Sequence, residues 1–226
     1  MTPPPLLIIG AGGLSKETLS AVTAINSVRP QWTVLGFVDD NPALHGTTVQ
    51  GLPVLGPSEL VAEHPDAGLV MTIASPKNLG NRKRIVERLD VPADRYATIV
   101  HPAASVAAGT ELGPGSVFLA GSVVTAPQAI GAHVVAMPHT TITHDDAISD
   151  YVLFASGVLL SGSVSIGESA YLGSGCMIRE GLTIGARSLI GMGAVVLCDV
   201  PPGEVWVGNP ARYLRTFNPL PTRTSA

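Results

Sequence analysis

An apolar residue, bulky at every place but Ala136, recurs at every sixth position in the second half of the chain, in sixteen hexapeptides that run without a break from Val106 to Pro201. A strict period of six matches neither an α-helix, with a period of about 3.6, nor an isolated strand, with a period of about 2. It is typical of a β-solenoid, in which each hexapeptide forms one flat face and three faces close a triangular coil. The sixteen first places are Val106, Leu112, Phe118, Val124, Ile130, Ala136, Ile142, Ile148, Phe154, Leu160, Ile166, Leu172, Ile178, Ile184, Ile190 and Val196.

The repeat also fixes which residues are neighbours. Residues 18 positions apart in this sequence stack on adjacent coils, about 4.8 Å apart along the axis. Hexapeptide solenoids are the known left-handed exception to the right-handed crossover rule. The predicted fold of this half is therefore a left-handed parallel β-helix.

The first hundred residues have a different pattern. A short apolar run, residues 6–9, ends at the segment Gly10-Ala-Gly-Gly13, and apolar residues then recur at helical spacing from Leu14 to Ile25. Further strands are predicted at 33–38 and 69–73, a helix at 78–89 and a closing strand at 97–100. This alternation predicts a small parallel sheet of Rossmann type. The predicted domains are 1–100, a Rossmann-like nucleotide-sugar-binding domain, 101–215, the β-helix, and 216–226, a loose tail.

The glycine-rich turn is a candidate ligand site, because glycines let a phosphate approach backbone N–H groups at a helix N-terminus. Ser15 fills the last glycine place of a dinucleotide-binding motif. The acidic pair at the end of the second strand suits a hydroxyl-binding carboxylate. A tight turn with an acidic cap is the structural alternative. A nucleotide-sugar fits this short domain better than NAD. The predicted substrate-binding residues here are Gly12, Gly13, Leu14, Asp39, Asp40, Ala74 and Ser75.

Composition narrows the choice of partners. The net charge of −4 makes nucleic acid a poor partner. No run approaches the roughly 20 apolar residues of a membrane span, and the N-terminus lacks the features of a signal peptide, so we expect a cytoplasmic protein. Charged residues are only 13% of the chain, and we expect much of its surface to be buried in an oligomer. Cys176 occupies a fifth place, where small residues recur, and is expected in the core.

Three groups of motifs carry a family resemblance. Ile166-Gly-Glu-Ser-Ala and Ile190-Gly-Met-Gly-Ala match the bacterial transferase hexapeptide, and Val207-Gly-Asn-Pro-Ala-Arg212 is similar to the ending of acetyltransferases of this class. With Ile8-Ile-Gly-Ala-Gly-Gly13 and Gly36-Phe-Val-Asp-Asp40 at the front, the chain resembles the sugar O-/N-acyltransferases of the sialic acid O-acetyltransferase (NeuD/PglD-like) family. The resemblance implies an acetyl-CoA-dependent transferase that acts on a sugar and assembles as a homotrimer.

The resemblance also assigns catalytic roles. The family's general base is a His followed by an acidic residue, which corresponds to His144 and Asp145. Imidazole titrates near neutrality and suits proton removal from an attacking amine or alcohol, and a carboxylate can orient it. Gly162 lies 18 residues after His144, so its N–H is placed one coil away as a candidate oxyanion donor. Since no Ser or Cys nucleophile accompanies the base, we expect a direct ternary mechanism.

By the same resemblance, CoA lies in the groove between two solenoids of a trimer, beside Ser174, Met192 and Arg212. His139 falls on the face before His144 and is a candidate lining residue of the substrate pocket. The chain departs from the family at Met137-Pro138, where Asn-Thr is usual, at Leu153, where a second His is usual, and at Ser149, where Gly is usual.

The other histidines carry less information. His45, His64 and His101 are expected to be structural, and His133 is expected to face solvent at a fourth place. No metal site is predicted, because the spacing of His139, His144 and the aspartates matches no ordinary ligand pattern. Two alternatives to the acyltransferase remain: a non-catalytic trimeric binding or assembly protein, and an NAD-binding oxidoreductase.

Overall fold

The computed structural model describes residues 2–218, which form an α/β unit followed by a β-helix. The α/β unit contains one five-stranded sheet in the order β3-β4-β2-β1-β5, in which every pairing is parallel except β3 with β4. Its strands are β1 (Pro5–Ile9), β2 (Thr33–Val38), β3 (Thr48–Val49), β4 (Leu52–Gly56) and β5 (Gly68–Met71). The prediction of a parallel Rossmann-type sheet is confirmed, with β3 and β4 as unpredicted additions.

Two α-helices accompany this sheet, α1 (Gly13–Val28) and α2 (Asn81–Leu89). The apolar residues of α1 recur at helical spacing, so Leu14, Leu19 and Val22 are buried on one side of the helix. That side belongs to an apolar cluster that includes Ile8 of the sheet and Val135 of the β-helix. Helix α1 therefore packs against both halves of the chain. Three 3₁₀ helices occupy Pro42–Leu44, Ser58–Glu63 and Ala93–Arg95.

The segment predicted as a closing strand of the first sheet links the two halves instead. Ala97 N–H donates to Leu69 O in the α/β unit at 2.8 Å. Strand β6 (Ile99–Val100) then pairs with a strand of the β-helix, not with the first sheet, so the prediction for 97–100 was wrong. Because the chain changes sheets within three residues, the apolar pattern alone could not assign this strand.

The β-helix is built from two-residue strands, one at the junction of each pair of successive hexapeptides, and ends in two longer strands of 4 and 5 residues. All its pairings between β7 and β22 are parallel and join residues 18 apart, such as Val124 with Ile142, so the predicted stacking is present. The fold is a left-handed parallel β-helix. The strands are β7 (Ser105–Val106), β8 (Glu111–Leu112), β9 (Val117–Phe118), β10 (Val123–Val124), β11 (Ala129–Ile130), β12 (Val135–Ala136), β13 (Thr141–Ile142), β14 (Ala147–Ile148), β15 (Leu153–Phe154), β16 (Leu159–Leu160), β17 (Ser165–Ile166), β18 (Tyr171–Leu172), β19 (Met177–Ile178), β20 (Thr183–Ile184), β21 (Leu189–Ile190), β22 (Val195–Val196), β23 (Glu204–Val207) and β24 (Arg212–Thr216).

These strands form three faces, which we name by their size. The eight-stranded face runs β24-β23-β21-β18-β15-β12-β9-β6, the six-stranded face β22-β19-β16-β13-β10-β7 and the five-stranded face β20-β17-β14-β11-β8. The first places of the hexapeptides point inward, and Phe118, Ile142 and Phe154 are fully buried among them. Cys176 is also fully buried in this core, as its fifth place predicted.

The outward residues differ among the three faces. On the eight-stranded face, Val117 and Val135 are buried in the same apolar cluster as α1. On the six-stranded face, Leu159 and Met177 are 41% and 49% exposed in the single chain. The six-stranded face is therefore an apolar surface that this chain does not itself cover.

His133 is buried, with 5% of its surface exposed, so the prediction that it faces solvent was wrong. Its ring stacks on Tyr151, with ring centroids 4.9 Å apart, and meets Tyr96 edge-on at 4.7 Å. Arg82 of α2 donates to the carbonyl oxygens of His133 and Tyr151. The fourth place is exposed in an isolated solenoid, but here residues of the α/β unit cover it.

Strand β24 extends to Thr216, and the N–H of Phe217 donates to Gly203 O at 2.7 Å. The predicted tail therefore begins inside an ordered strand, and its residues 219–226 lie outside the described part. The domain boundaries at 100 and 215 stay predictions. Neither α1 nor α2 has the length and apolar character needed to cross a membrane, and no other described helix does.

Candidate active site

One turn of the β-helix carries the residues predicted to do the chemistry. The turn joins β13 to β14 and contains Thr143, His144, Asp145 and Asp146. Asp145 has a left-handed backbone (φ +59°), as fourth-place residues of the repeat commonly do. The side chains of His144 and Asp145 are 63% and 78% exposed, so both are accessible to a ligand.

His144 and Asp145 are hydrogen-bonded to each other. The distance between His144 Nδ1 and Asp145 Oδ2 is 2.8 Å. A carboxylate beside Nδ1 favours the tautomer that carries its proton there, which leaves Nε2 free to accept a proton. The pair thus has the arrangement of a general base with an orienting carboxylate.

Gly162 lies against this imidazole, one coil further along the axis. A Cβ atom built on Gly162 would be 2.9 Å from both Cε1 and Nε2 of His144. The backbone of Gly162 is also unusual, since it is the one third-place residue of the sixteen hexapeptides, all within the described part, with a positive φ (+97°). The structure therefore brings together His144, Asp145 and Gly162, as the register predicted.

Two residues that the sequence analysis missed hold this turn. Asp146 is 4% exposed, and its carboxylate accepts from Thr143 N and Val164 N, both at 2.8 Å. Burial raises the pKa of Asp146, and these hydrogen bonds act against that rise. Gln128, one coil before Asp146, bonds to the same turn through its side-chain amide. Gln128 and Asp146 both occupy fifth places of the repeat, where apolar and small residues are common. Their departure from the repeat could have been recognised in the sequence.

The residues predicted to contact CoA lie on another corner of the triangle. Ser174 and Met192 stack 18 residues apart at the corner between the eight-stranded and six-stranded faces, and Met192 is 80% exposed. His139 belongs to the same corner, with its ring against Gly121. Arg212 begins β24 and is exposed. Within one chain, the six-stranded face separates all of these residues from His144.

A cleft of about 280 Å³ lies between the glycine-rich turn and the β-helix. Gly13, Leu14 and Ala74, three of the residues proposed to bind substrate, line it from the α/β unit. Gly12 is the N-cap of α1, and a Cβ at Gly12 or Gly13 would meet no atom within 4 Å. Neither glycine is required by internal contacts, so the bare backbone faces space that a ligand can occupy.

The opposite wall of this cleft contains two of the three departures from the family pattern. Met137 and Leu153 both line it, so the wall is apolar where the family usually presents Asn and His. Glu17 of α1 lines it too, and burial raises the pKa of that carboxyl group. His139 is not among the lining residues and does not take the place of the missing polar groups within one chain.

Asp39 and Asp40 line a separate cleft of about 430 Å³ with Arg84 and Arg88 of α2. Asp39 accepts from the backbone N–H groups of Ala11 and Asn41, each at 2.9 Å. Burial acts to raise the pKa of Asp40, but hydrogen bonds from Ser58 and Arg88 outweigh it and lower that pKa. Both aspartates thus hold the backbone as well as facing a cleft.

Ser75 belongs to a smaller pocket with Arg82 and Tyr151. The predicted substrate residues are therefore divided over several clefts around the loop of residues 73–75. Within residues 2–218 no three His, Cys, Asp or Glu side chains are grouped so that they could hold a metal ion.

The sequence and the fold both match known proteins. Residues 5–89 match the PglD N-terminal domain, and residues 163–198 match the bacterial transferase hexapeptide (six repeats). The structure superimposes on the acetyltransferase domain of PglB from Neisseria gonorrhoeae FA1090 with a TM-score of 0.80 and 30% identity, over 93% of this chain and 99% of that chain. The chain belongs to the NeuD/PglD-like family of sugar acyltransferases. No curated protein sequence matches it significantly.

Two of the similar solved structures, of the PglB domain and of PerB, contain bound ligands. The PglB domain has also been solved in complex with acetyl coenzyme A, with a TM-score of 0.80 and 30% identity to this chain, over 94% of this chain and 100% of that one. PerB from Caulobacter crescentus, in complex with CoA and GDP-perosamine, is 27% identical, with a TM-score of 0.79 over 93% of this chain and 97% of its own. WeeI from Acinetobacter baumannii AYE is 29% identical, with a TM-score of 0.76 over 93% of this chain and 100% of its own. Membership confirms the predicted resemblance and enzyme class and decides against the oxidoreductase alternative.

Proposed function

We propose that this protein transfers an acetyl group from acetyl-CoA to an amino or hydroxyl group of a nucleotide-linked sugar, with His144 as the general base. The proposal rests on the hydrogen bond between the side chains of His144 and Asp145. This pair lies on a corner of the β-helix where Gly162 is next to the imidazole ring. Related proteins of the family bind acetyl coenzyme A, or CoA with GDP-perosamine, which supports this pair of substrates.

The reaction needs one proton acceptor and one stabiliser of negative charge. The acceptor nitrogen or oxygen of the sugar attacks the thioester carbonyl while His144 Nε2 takes its proton. The Gly162 N–H stabilises the resulting oxyanion, a contact of a kind that contributes about 3 kcal/mol. The tetrahedral intermediate then expels the CoA thiolate, which receives the proton from the imidazolium. Asp145 orients the ring and stabilises its charged form.

Direct transfer is favoured because neither cysteine is placed to act as a nucleophile. Cys176 is buried, and burial raises its pKa to about 12, so the thiolate is scarcely populated. Cys198 is exposed, but it lies three coils from His144 in the same stack, a separation of about 14 Å. No acyl-enzyme intermediate is therefore part of the proposal.

A homotrimer would complete the site. The six-stranded face lies between the His144 corner and the corner of Ser174 and Met192, and it presents the exposed side chains of Leu159 and Met177. Packing this face between protomers would bury those side chains and bring the two corners of neighbouring chains together in one groove. CoA would lie in that groove, and Arg212 would meet a phosphate.

The glycine-rich turn, with Gly12, Gly13, Leu14 and the 74–75 loop, would hold the nucleotide-sugar. A cytoplasmic location fits a reaction that uses acetyl-CoA.

The experiment is an assay of the purified protein with acetyl-CoA and a panel of UDP-, GDP- and dTDP-linked amino sugars, with products identified by mass spectrometry. We expect a product heavier by one acetyl group, and a loss of turnover of ~10²–10⁴-fold in His144→Ala. His64→Ala is the matched control, a histidine of the α/β unit outside the clefts described above, and should keep full turnover. An active His144→Ala variant would overturn the assignment of the base. Absence of acetyl-CoA binding in the wild-type protein would favour the assembly-protein alternative.

A further inference from the structure

The turn that carries His144 lacks a backbone hydrogen bond that closes seven of the sixteen hexapeptide turns, all of them within the described part of the chain. On the same corner, one turn is closed by the N–H of Thr110, which donates to Ala107 O at 3.1 Å. This bond joins the fifth place to the second place of one hexapeptide. The same bond recurs elsewhere, for example from Ala170 N to Gly167 O at 3.2 Å. A turn of this kind is closed by a bond between its own backbone groups.

In the His144 turn, the amide of Gln128 is inserted into that bond. Asp146 N, at the fifth place, donates to Gln128 Oε1 at 2.9 Å, and Thr143 O, at the second place, accepts from Gln128 Nε2 at 2.7 Å. One side-chain amide from the preceding coil therefore satisfies both backbone groups that would otherwise bond to each other. The residues on either side of the His144-Asp145 pair are held by Gln128.

The Gly162 turn repeats half of this arrangement, with Asp146 as the inserted group: its carboxylate accepts from the fifth-place N–H but does not bond to the second-place carbonyl oxygen. Val164 N, at the fifth place of that hexapeptide, donates to Asp146 Oδ1 at 2.8 Å. The other carboxylate oxygen, Oδ2, accepts from Thr143 N at 2.8 Å. One buried carboxylate therefore bonds both to the turn of His144 and to the turn of Gly162, whose φ of +97° departs from the other third places.

A buried carboxylate is costly to desolvate, and the fifth places of the next two coils in this stack carry the apolar residues Val164 and Leu182. A valine at 146 would fit the core without that cost. We propose that Gln128 and Asp146 are positioning residues, which open the two turns so that His144 and the Gly162 N–H face the same reacting carbonyl. The proposal rests on the proposed role of His144 as the base.

The decisive variant is Asp146→Val, which gives this fifth place the apolar side chain found at Val164. We expect the chain to fold and assemble, because the desolvation cost of the carboxylate is removed while the N–H groups of Thr143 and Val164 lose their acceptor. We expect kcat to fall by about 10- to 100-fold with little change in KM for acetyl-CoA, because a misplacement of about 1 Å at a reacting group has an effect of this size. Gln128→Val should lower kcat in the same way, and the double variant should lose less than the product of the two single losses.

Ser122→Val is the matched control. Ser122 is a buried fifth-place residue on a different corner, where its hydroxyl donates to Leu119 O of its own turn. It should fold and keep the wild-type kcat. Asp146→Asn supplies a partial rescue, since its carbonyl oxygen can still accept from Val164 N while its NH₂ group cannot accept from Thr143 N. Its kcat should lie between those of wild type and Asp146→Val.

The outcomes are separable. Wild-type kcat in Asp146→Val, with His144→Ala inactive, would overturn the positioning role and leave the base intact. An active His144→Ala would overturn the proposed function itself. Failure of both Asp146→Val and Gln128→Val to fold would also overturn the inference, because it would show that the two residues serve stability.

Discussion

The backbone of Gly162 lies against the imidazole of His144, which belongs to the adjacent coil. A single Cβ atom at Gly162 would be 2.9 Å from His144 Cε1 and Nε2, which is closer than real Cβ atoms come to their neighbours. The left-handed φ of +97° adds a second reason for glycine, since side chains other than that of glycine rarely adopt it. Any larger residue at 162 must therefore displace the ring or the turn.

We predict that Gly162→Ala lowers kcat by about 100-fold while the protein stays folded, because the new methyl group moves the imidazole and leaves the N–H in place. Gly181→Ala is the matched control. It lies one coil further on the same corner, has φ +70°, and its Cβ would meet nothing within 4 Å. Comparing the steady-state kcat of the two variants separates the effect of the contact with His144 from the effect of backbone strain. Equal losses in the two variants would contradict the contact argument.

The two cysteines test the direct mechanism. We predict that a thiol reagent modifies one cysteine per native chain, Cys198, and reaches Cys176 only after unfolding, because Cys176 is fully buried. Cys198→Ser should retain full turnover, since Cys198 lies about 14 Å from His144. Thiol counting with and without denaturant, together with kinetics of the variant, gives the answer. Loss of turnover in Cys198→Ser with normal acetyl-CoA binding would instead point to covalent catalysis.

The strict period explains why much of the β-helix and its candidate site could be predicted. A period of six assigns each residue a face, and 18-residue spacing assigns its neighbour, so the contact between His144 and Gly162 followed from position alone. The same period placed His139 and His144 on different corners of the β-helix. In the first half, the long apolar helix α1 and the strand β2 were similarly readable.

What the pattern did not predict depends on contacts between distant parts of the chain. His133 is buried because Tyr96 and Arg82, from outside the repeat, cover its corner. Strand β3 has only two residues, β4 contains a proline and ends in a glycine, and β6 pairs with the β-helix and not with the first sheet. The roles of Gln128 and Asp146 depend on side-chain hydrogen bonds that a hydropathy pattern does not contain.

Arg82 is predicted to be a major contact between the α/β unit and the β-helix. It is buried, this burial lowers its pKa to about 10, and it still carries its charge at neutral pH. Arg82→Ala removes a charged donor from the carbonyl oxygens of His133 and Tyr151, and we expect the free energy of unfolding to fall by about 2–4 kcal/mol. Lys83→Ala is the control. Its ion pair with Glu168, 3.0 Å, is solvent-exposed, so little change is expected in denaturant titrations. Equal effects of the two substitutions would contradict the prediction.

His133 gives the protein a specific sensitivity to acid. Burial, and secondarily the charge of Arg82, lower the pKa of His133 from 6.5 to about 4, with Asp150 acting weakly the other way. Between these two values the unfolded chain binds a proton that the folded chain does not. The stabilising effect is therefore complete above about pH 6.5 and is lost as the pH falls towards 4, with a total of about 3 kcal/mol.

His133→Phe keeps an aromatic ring beside Tyr151 and removes the titration. We expect its free energy of unfolding to fall less steeply between pH 6.5 and 4 than that of wild type. The comparison uses this slope, because the left-handed backbone at His133 (φ +53°) gives phenylalanine a conformational cost of its own at every pH. Denaturant titrations at fixed protein concentration across this pH range measure the slope. Subtracting the curve of the variant from that of wild type removes the contribution of the carboxyl groups that both proteins share. Parallel curves for the two proteins would show that His133 takes up its proton in the folded state as readily as in the unfolded chain.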